Sequence, residues 1–217
     1  MRMEAIQIAK KDIKVELRSK TTLNFMLLFS FVTISIFSIS VPVKIIPEVA
    51  PSLLWLVFLF VGIGGYARAF VREVEDGTLD GLKMIARPTS ILAGKILYNL
   101  SLMLIIQAIT LPLFIAFFNL QISQPLNFIV SITVGNVAFV VVSSSLSLLT
   151  IRANARELLL PVILFPVIFP IISTTIRALS SAINGSGYDM ASIGLVAIYT
   201  AAMTILAFTT VEQVMIE

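Results

Sequence analysis

The chain of 217 residues is 58% hydrophobic and 12% charged, with a mean hydropathy of +1.03. A soluble domain carries roughly 45–50% apolar and about 25% charged residues, so one of this size could not bury so much apolar surface. The chain has no Cys and no His, which excludes disulfides, thiol catalysis, Cys/His zinc sites, haem ligation by His and every His-based triad.

The composition predicts an all-α integral membrane protein, read along the chain as follows. Residues 1–20 are charged but helically patterned. Ile6, Ala9, Ile13 and Leu17 fall on one face, and Lys10, Lys11, Lys14 and Arg18 cluster on another. Such a helix suits the membrane interface, its cations near anionic headgroups. The alternative is a cytosolic helical extension. No cleavable signal peptide is expected, because the first apolar stretch follows this charged segment and is too long for an h-region.

A membrane-crossing helix needs about 20 apolar residues. Windows with few or no charges occur at 21–43, 49–67, 96–151, 158–176 and 190–211. The third is too long for one crossing, and Asn119-Leu120-Gln121-Ile122-Ser123-Gln124-Pro125 splits it with a polar turn. Residues 21–217 therefore read as a single unit of six spans, near 22–41, 50–69, 91–118, 126–150, 157–176 and 191–211.

The segment 72–88 differs from an ordinary charged loop. In Arg72-Glu73-Val74-Glu75-Asp76-Gly77-Thr78-Leu79-Asp80, continuing to Arg87-Pro88, acids and bases alternate with apolar residues. Asp76 or Thr78 can cap a short helix, which Pro88 ends, and Thr89 or Ser90 can cap the next span. Leu79, Leu82 and Ile85 at i, i+3, i+6 make an apolar ridge. A ridge rimmed with charge suits docking in a partner's groove. It equally suits packing on the protein's own helix ends or on lipid.

Within the spans, Gly62-Ile63-Gly64-Gly65-Tyr66-Ala67 fits a dinucleotide-binding pattern only formally, since it lacks a βαβ context. These glycines, Ser143–Ser147 and Ala197–Ala201 are expected to permit close helix contacts. Pro161, Pro166 and Pro170 predict a kinked or broken fifth span, either a moving, pathway-lining element or a helix with tolerated prolines. Arg68 and Lys95, at helix ends, are expected to snorkel. Asn184-Gly185-Ser186 matches a glycosylation triplet of low specificity. Gly94-Lys95 lacks the glycine of a Walker A loop. No acid lies within the body of a span, which argues against an ion-coupled carrier.

Six spans place both termini and the second and fourth loops on one side. That side carries thirteen of the fifteen cations, against Lys44 and Arg177 on the other. Basic short loops stay cytoplasmic, so a multi-pass plasma-membrane protein with both termini cytoplasmic is expected.

The run from Ala50-Pro51-Ser52-Leu53-Leu54-Trp55 through Glu73-Val74-Glu75-Asp76-Gly77-Thr78-Leu79-Asp80 to Gly94-Lys95 resembles the permease subunits of ABC-2-type exporters. With the basic start Lys11-Asp12-Ile13-Lys14-Val15-Glu16-Leu17-Arg18-Ser19 and six spans, it resembles more narrowly the CcmB family, the haem-exporter membrane subunit of cytochrome c maturation. The likeness is strongest over residues 10–100. It implies a homodimer with two copies of an ABC ATPase, with residues 72–87 as the coupling helix and an interfacial helix before the first span. The coupling residues are then Glu73, Glu75, Asp76, Gly77, Thr78, Leu79, Leu82 and Ile85. ATP is handled by the ATPase, no cofactor binds this chain directly, and haem is the implied cargo, with further cytochrome c maturation membrane subunits as partners. Without His or Cys, iron could be ligated here only through residues such as Met or Tyr. The resemblance implies a transporter subunit, not an enzyme, with the lipid bilayer and no nucleic acid as its surroundings. An ABC-2 exporter of another cargo, such as a drug or lipid-linked molecule, and a non-transporting scaffold for a cytosolic protein are the other readings of the same loop.

Overall fold

The computed structural model describes residues 2–65, 70, 73, 77–150 and 156–216. Among them there is no strand. The helices are α1 (Arg2–Ser19), α2 (Thr21–Ser40), α3 (Ile46–Gly64, entered through the 3-10 turn Val43–Ile45), α4 (Leu79–Ile85), α5 (Pro88–Phe118), α6 (Pro125–Leu149), α7 (Arg156–Asn184) and α8 (Met190–Ile216). Six of these, all but α1 and α4, are long and apolar enough to cross a membrane.

The helix boundaries follow local chemistry. Pro47 and Pro88 stand in the first turns of α3 and α5, where a missing N–H costs no hydrogen bond, so both helices begin earlier than the apolar windows suggest. Arg87, not Thr89 or Ser90, is the N-cap residue of α5, and Ser90 is buried in the first turn. Asn119 ends α5 in the left-handed conformation at φ 45°, which Asn tolerates better than most residues.

The proline-rich helix is not broken. α7 continues through Pro161, Pro166 and Pro170 and runs eight residues beyond the expected end at 176. Ala178, Leu179, Ala182 and Ile183 keep the inward periodicity and are buried. Hydroxyls serve the proline stretch: Tyr199 donates to the Val167 carbonyl at 2.7 Å and Thr174 to the Pro170 carbonyl at 2.6 Å. Pro166 and Pro170 face outward beside Phe165 and Phe169.

α6 is the central helix, packed on α5, α7 and α8, while α3 lies against α2 and α7. Its Ser143, Ser144 and Ser147 are fully buried, so the expected small-residue contact is present on α6. On α8, Ala197 and Ala201 are exposed, so no other described helix of the same chain packs closely on them. At Gly135 an added Cβ would stand 2.6 Å from the Trp55 ring and 2.8 Å from Thr175. That glycine lets α3 and α7 close on α6. The core holds Trp55, Phe58, Phe114, Phe128 and Phe139, with Trp55 and Phe139 edge-to-face at 6.4 Å, a favoured aromatic geometry.

α1 is seated across the first turns of α5. Gly94 is the point of closest approach: a Cβ there would lie 2.8 Å from Ile8 and 3.0 Å from the Ala5 carbonyl. The inward face of α1 is Ala5, Ile8, Ala9, Asp12 and Glu16. The expected face of Ile6, Ala9, Ile13 and Leu17 therefore divides. Ala9 turns to α5 and Ile13 is half-buried, whereas Ile6 and Leu17 are exposed with Met3.

Candidate functional site

Four charged side chains meet where α1, α5 and residue 73 converge. Lys95, on the second turn of α5, is 3% exposed and is ion-paired with both Asp12 and Glu73. Its Nζ lies 2.7 Å from Asp12 Oδ2, a close ion pair whose angles fall outside hydrogen-bond geometry. Lys11 Nζ reaches Asp12 Oδ1 and Glu73 Oε1, each at 3.1 Å, and closes the ring. Positive and negative groups alternate around it, so among the described residues these four side chains sum to zero formal charge. This balance makes burial of Asp12 and Glu73 tolerable.

Lys95 thus does not snorkel. Snorkelling serves a cation without a local partner, and here two carboxylates supply one in the protein interior. Arg68, the other cation expected to snorkel, lies outside the described residues.

Thr78 fastens the ring to α4. Its N–H donates to the Glu73 carbonyl at 2.9 Å, and its hydroxyl donates to Glu73 Oε2. Thr78 is the N-cap residue of α4 but makes no side-chain cap, because its hydroxyl goes to a charged acceptor, the stronger partner. Burial pushes the Glu73 carboxyl up. The Lys95 ammonium, with help from Thr78 and Lys11, outweighs this and holds it down at about 2. On Lys11 burial works against the charge, and Asp12 and Glu73 overcome it to raise the ammonium above its ordinary value. Gly77 turns the chain into α4 at φ +66°, a conformation that other residues adopt only with strain.

The predicted ridge on α4 is split. Leu79 and Leu82 are buried, Leu82 in an apolar cluster with Phe70, Ile91, Leu92, Val211 and Met215. Ile85 is 79% exposed, and beside it Met84 is 86% exposed. A seven-residue helix places i, i+3 and i+6 on a gradually rotating line, and the first two positions suffice to seat it. The outward face is Met84 and Ile85 with exposed Asp80, Gly81 and Arg87 around them. Glu75 and Asp76, predicted for the same segment, lie outside the described residues.

Of the basic residues predicted on α1, Lys10, Lys14 and Arg18 are exposed, while Lys11 also enters the ring. Glu16 links α1 onward. Its Oε1 accepts from the Leu23 N–H at 3.0 Å, in the first turn of α2, and Tyr98 donates to its Oε2 at 3.5 Å. A separate cleft of about 470 Å³ opens between α5 and α6. It is lined mainly by apolar side chains including Leu104, Leu111 and Phe128, with Gln107 and Thr133 as polar groups, and none of the α7 prolines lines it.

The family model for CcmB protein matches residues 3–217. The chain belongs to the CcmB family. That family is the haem-exporter membrane permease subunit of an ABC transporter for cytochrome c maturation, and six apolar helices fit such a permease. CcmB proteins work with an ABC ATPase. No curated protein matches the chain.

The sequence pattern assigns no role to Asp12, Glu16 or Met84, and it places Lys95 at a solvated helix end rather than in the buried ring. A signal for the first two was present. Ala5, Ile8, Ala9, Asp12 and Glu16 share a face at helical spacing, and two acids among small apolar residues on an otherwise basic helix mark a face that seeks buried cations. For Lys95 the neighbouring Gly94 marks a close helix approach. Met84 had no signal, because only the seating of α4 decides which apolar residues remain outside.

Proposed function

We propose that this permease subunit lies in the plasma membrane with both termini and α4 on the cytoplasmic side, as two copies paired with two copies of the ATPase. The sequence supports the orientation, because a six-span topology puts thirteen of the fifteen cations on the side of the termini and the second and fourth loops. The ATPase binds and hydrolyses ATP, haem is the cargo, no cofactor is held by this chain, and no covalent chemistry takes place in it. Further cytochrome c maturation membrane subunits join the complex. Residues 1–20 form an interfacial helix on a single transmembrane unit, 21–217. In that helix Lys10, Lys14 and Arg18 face anionic headgroups, and Met3, Ile6 and Leu17 enter the acyl boundary.

The observation that carries the docking assignment is the exposed tip of α4. Two large apolar side chains, Met84 and Ile85, stand clear on a helix whose other apolar residues are buried. An anchored helix with a free apolar tip rimmed by charge fits a groove on a partner. Leu79 and Leu82 anchor it, Gly77 sets the turn, Glu73 and Thr78 tie it to α5, and Glu75 and Asp76 belong to the same coupling segment.

The test is Met84→Asp with Ile85→Asp. Both sites are exposed, so stability should change by about 0.5 kcal/mol or less, and membrane insertion should match the wild type. Co-purification of the ATPase through a tag on this chain should be lost, with maturation of c-type cytochromes. Wild-type recovery of the ATPase would refute docking through α4.

A further inference from the structure

We propose that the ring of Lys11, Asp12, Glu73 and Lys95 is the joint through which movement of α4 reaches the membrane helices, with α1 as a working lever. This rests on docking of the ATPase at α4.

The connections run in series. α4 begins at Thr78, whose N–H and hydroxyl both hold Glu73. Glu73 holds Lys95 on α5, and Lys95 holds Asp12 on α1. Lys11 ties α1 back to Glu73 at 3.1 Å. α1 continues through Glu16 to the first turn of α2, where the Leu23 N–H donates at 3.0 Å. A displacement of α4 therefore has a polar route to two membrane helices, α5 and α2, and both branches depend on acids.

The ring is stiffer than its apolar surroundings. Sliding one apolar side chain past another exchanges similar contacts, whereas separating Lys95 from its two carboxylates leaves buried charges unpaired. Residue 73, α1 and α5 therefore move together or not at all. The outer surface of α1 is suited to such motion: Met3, Ile6 and Leu17 are exposed and apolar, and Lys10, Lys14 and Arg18 are exposed cations. A helix in the bilayer interface can shift laterally while keeping both kinds of contact. An anchor without a transmitting role needs none of the three α1–α5–73 ion pairs, because Ala5, Ile8 and Gly94 already seat α1 closely.

Lys95, Asp12 and Glu73 are thus positioning residues, and a merely structural role must be told apart from transmission. The double variant Glu73→Gln with Lys95→Met does this. It removes one positive and one negative charge together and leaves the Lys11–Asp12 pair, and such neutral replacement of a buried pair is often tolerated by the fold. The variant should insert, recover the ATPase at wild-type yield and hydrolyse ATP when purified as the complex. The yield of matured c-type cytochrome per ATP hydrolysed should fall roughly tenfold, the scale of an allosteric coupling. Wild-type yield per ATP would overturn the joint and leave docking at α4 intact. Loss of ATPase binding would also overturn it, placing Glu73 and Lys95 in the docking surface. If Met84→Asp with Ile85→Asp retains the ATPase, the docking assignment fails and the joint fails with it.

Discussion

α5 is held by different chemistry at different depths. Near the end that meets α1, Lys95 is clasped by Asp12 and Glu73. One turn further on, Asn99 donates to Ser144 at 2.8 Å. Two turns beyond that, Gln107 donates to Thr133 at 2.7 Å and accepts from Asn136 at 3.0 Å. Past the far end of α5 the loop is fastened by backbone: the Gln124 N–H donates to the Ala182 carbonyl at 2.9 Å, at the end of α7. Charge appears only at the edge, and neutral groups serve the interior. A charge at the bilayer centre costs about 2.5–3.5 kcal/mol on insertion, while a neutral interhelical hydrogen bond contributes about 0.6–2 kcal/mol. On α5 the strong but expensive links are thus confined to the end that meets α1.

Lys95→Met, the single change, should test this contrast most severely. It leaves Asp12 and Glu73 buried, with half-exposed Lys11 as their remaining cation among the described residues. We expect a loss of about 3–5 kcal/mol, read as a lower melting temperature in detergent. A change no larger than that of a neutral pair would break the comparison.

The acid limb sharpens it next. The Glu73 carboxyl is held from its ordinary 4.5 down to about 2. Its stabilisation is therefore complete above about pH 4.5 and is lost as the pH falls through that value towards 2. Wild type and Glu73→Gln should melt at clearly different temperatures at pH 7 and converge as the pH approaches 2.

In the interior, Asn99→Leu should cost only about 1 kcal/mol, because Ser144 loses one neutral partner. A loss matching that of Lys95→Met would show that depth does not sort the two kinds of link. The smallest effect belongs to Lys11→Met. The side chain is 48% exposed, so its pairs are screened and are worth a few tenths of a kcal/mol, less as salt is raised.

At Leu82 the structure chooses between the two uses the pattern allowed, docking and packing on the protein's own helices. At i, i+3, i+6 with Leu79 and Ile85 this residue reads as part of one docking ridge, yet it is 5% exposed in a cluster with Ile91 and Val211. Leu82→Asp would therefore test packing rather than docking, and Met84 is the informative position. Thr78 is similar. Its placement before a short helix reads as a cap, but a carboxylate five residues earlier takes its hydroxyl. Periodicity reports which residues share a face, not which neighbour that face will meet.

The amino-acid sequence alone determined the number of membrane-length helices and the place of the short charged-rimmed helix between two of them. Each is a local sum: a window of about 20 apolar residues is a span wherever it occurs. Tertiary structure decided that Lys95 is buried, that α1 presents acids inward, that α4 keeps only Met84 and Ile85 outside, and that α7 passes its prolines unbroken. The deciding partners are distant in the chain. Glu73 stands 22 residues from Lys95 and 62 from Lys11. A charge alone in the sequence reads as a solvated end, and only the fold brings opposite charges close enough for burial to be tolerable.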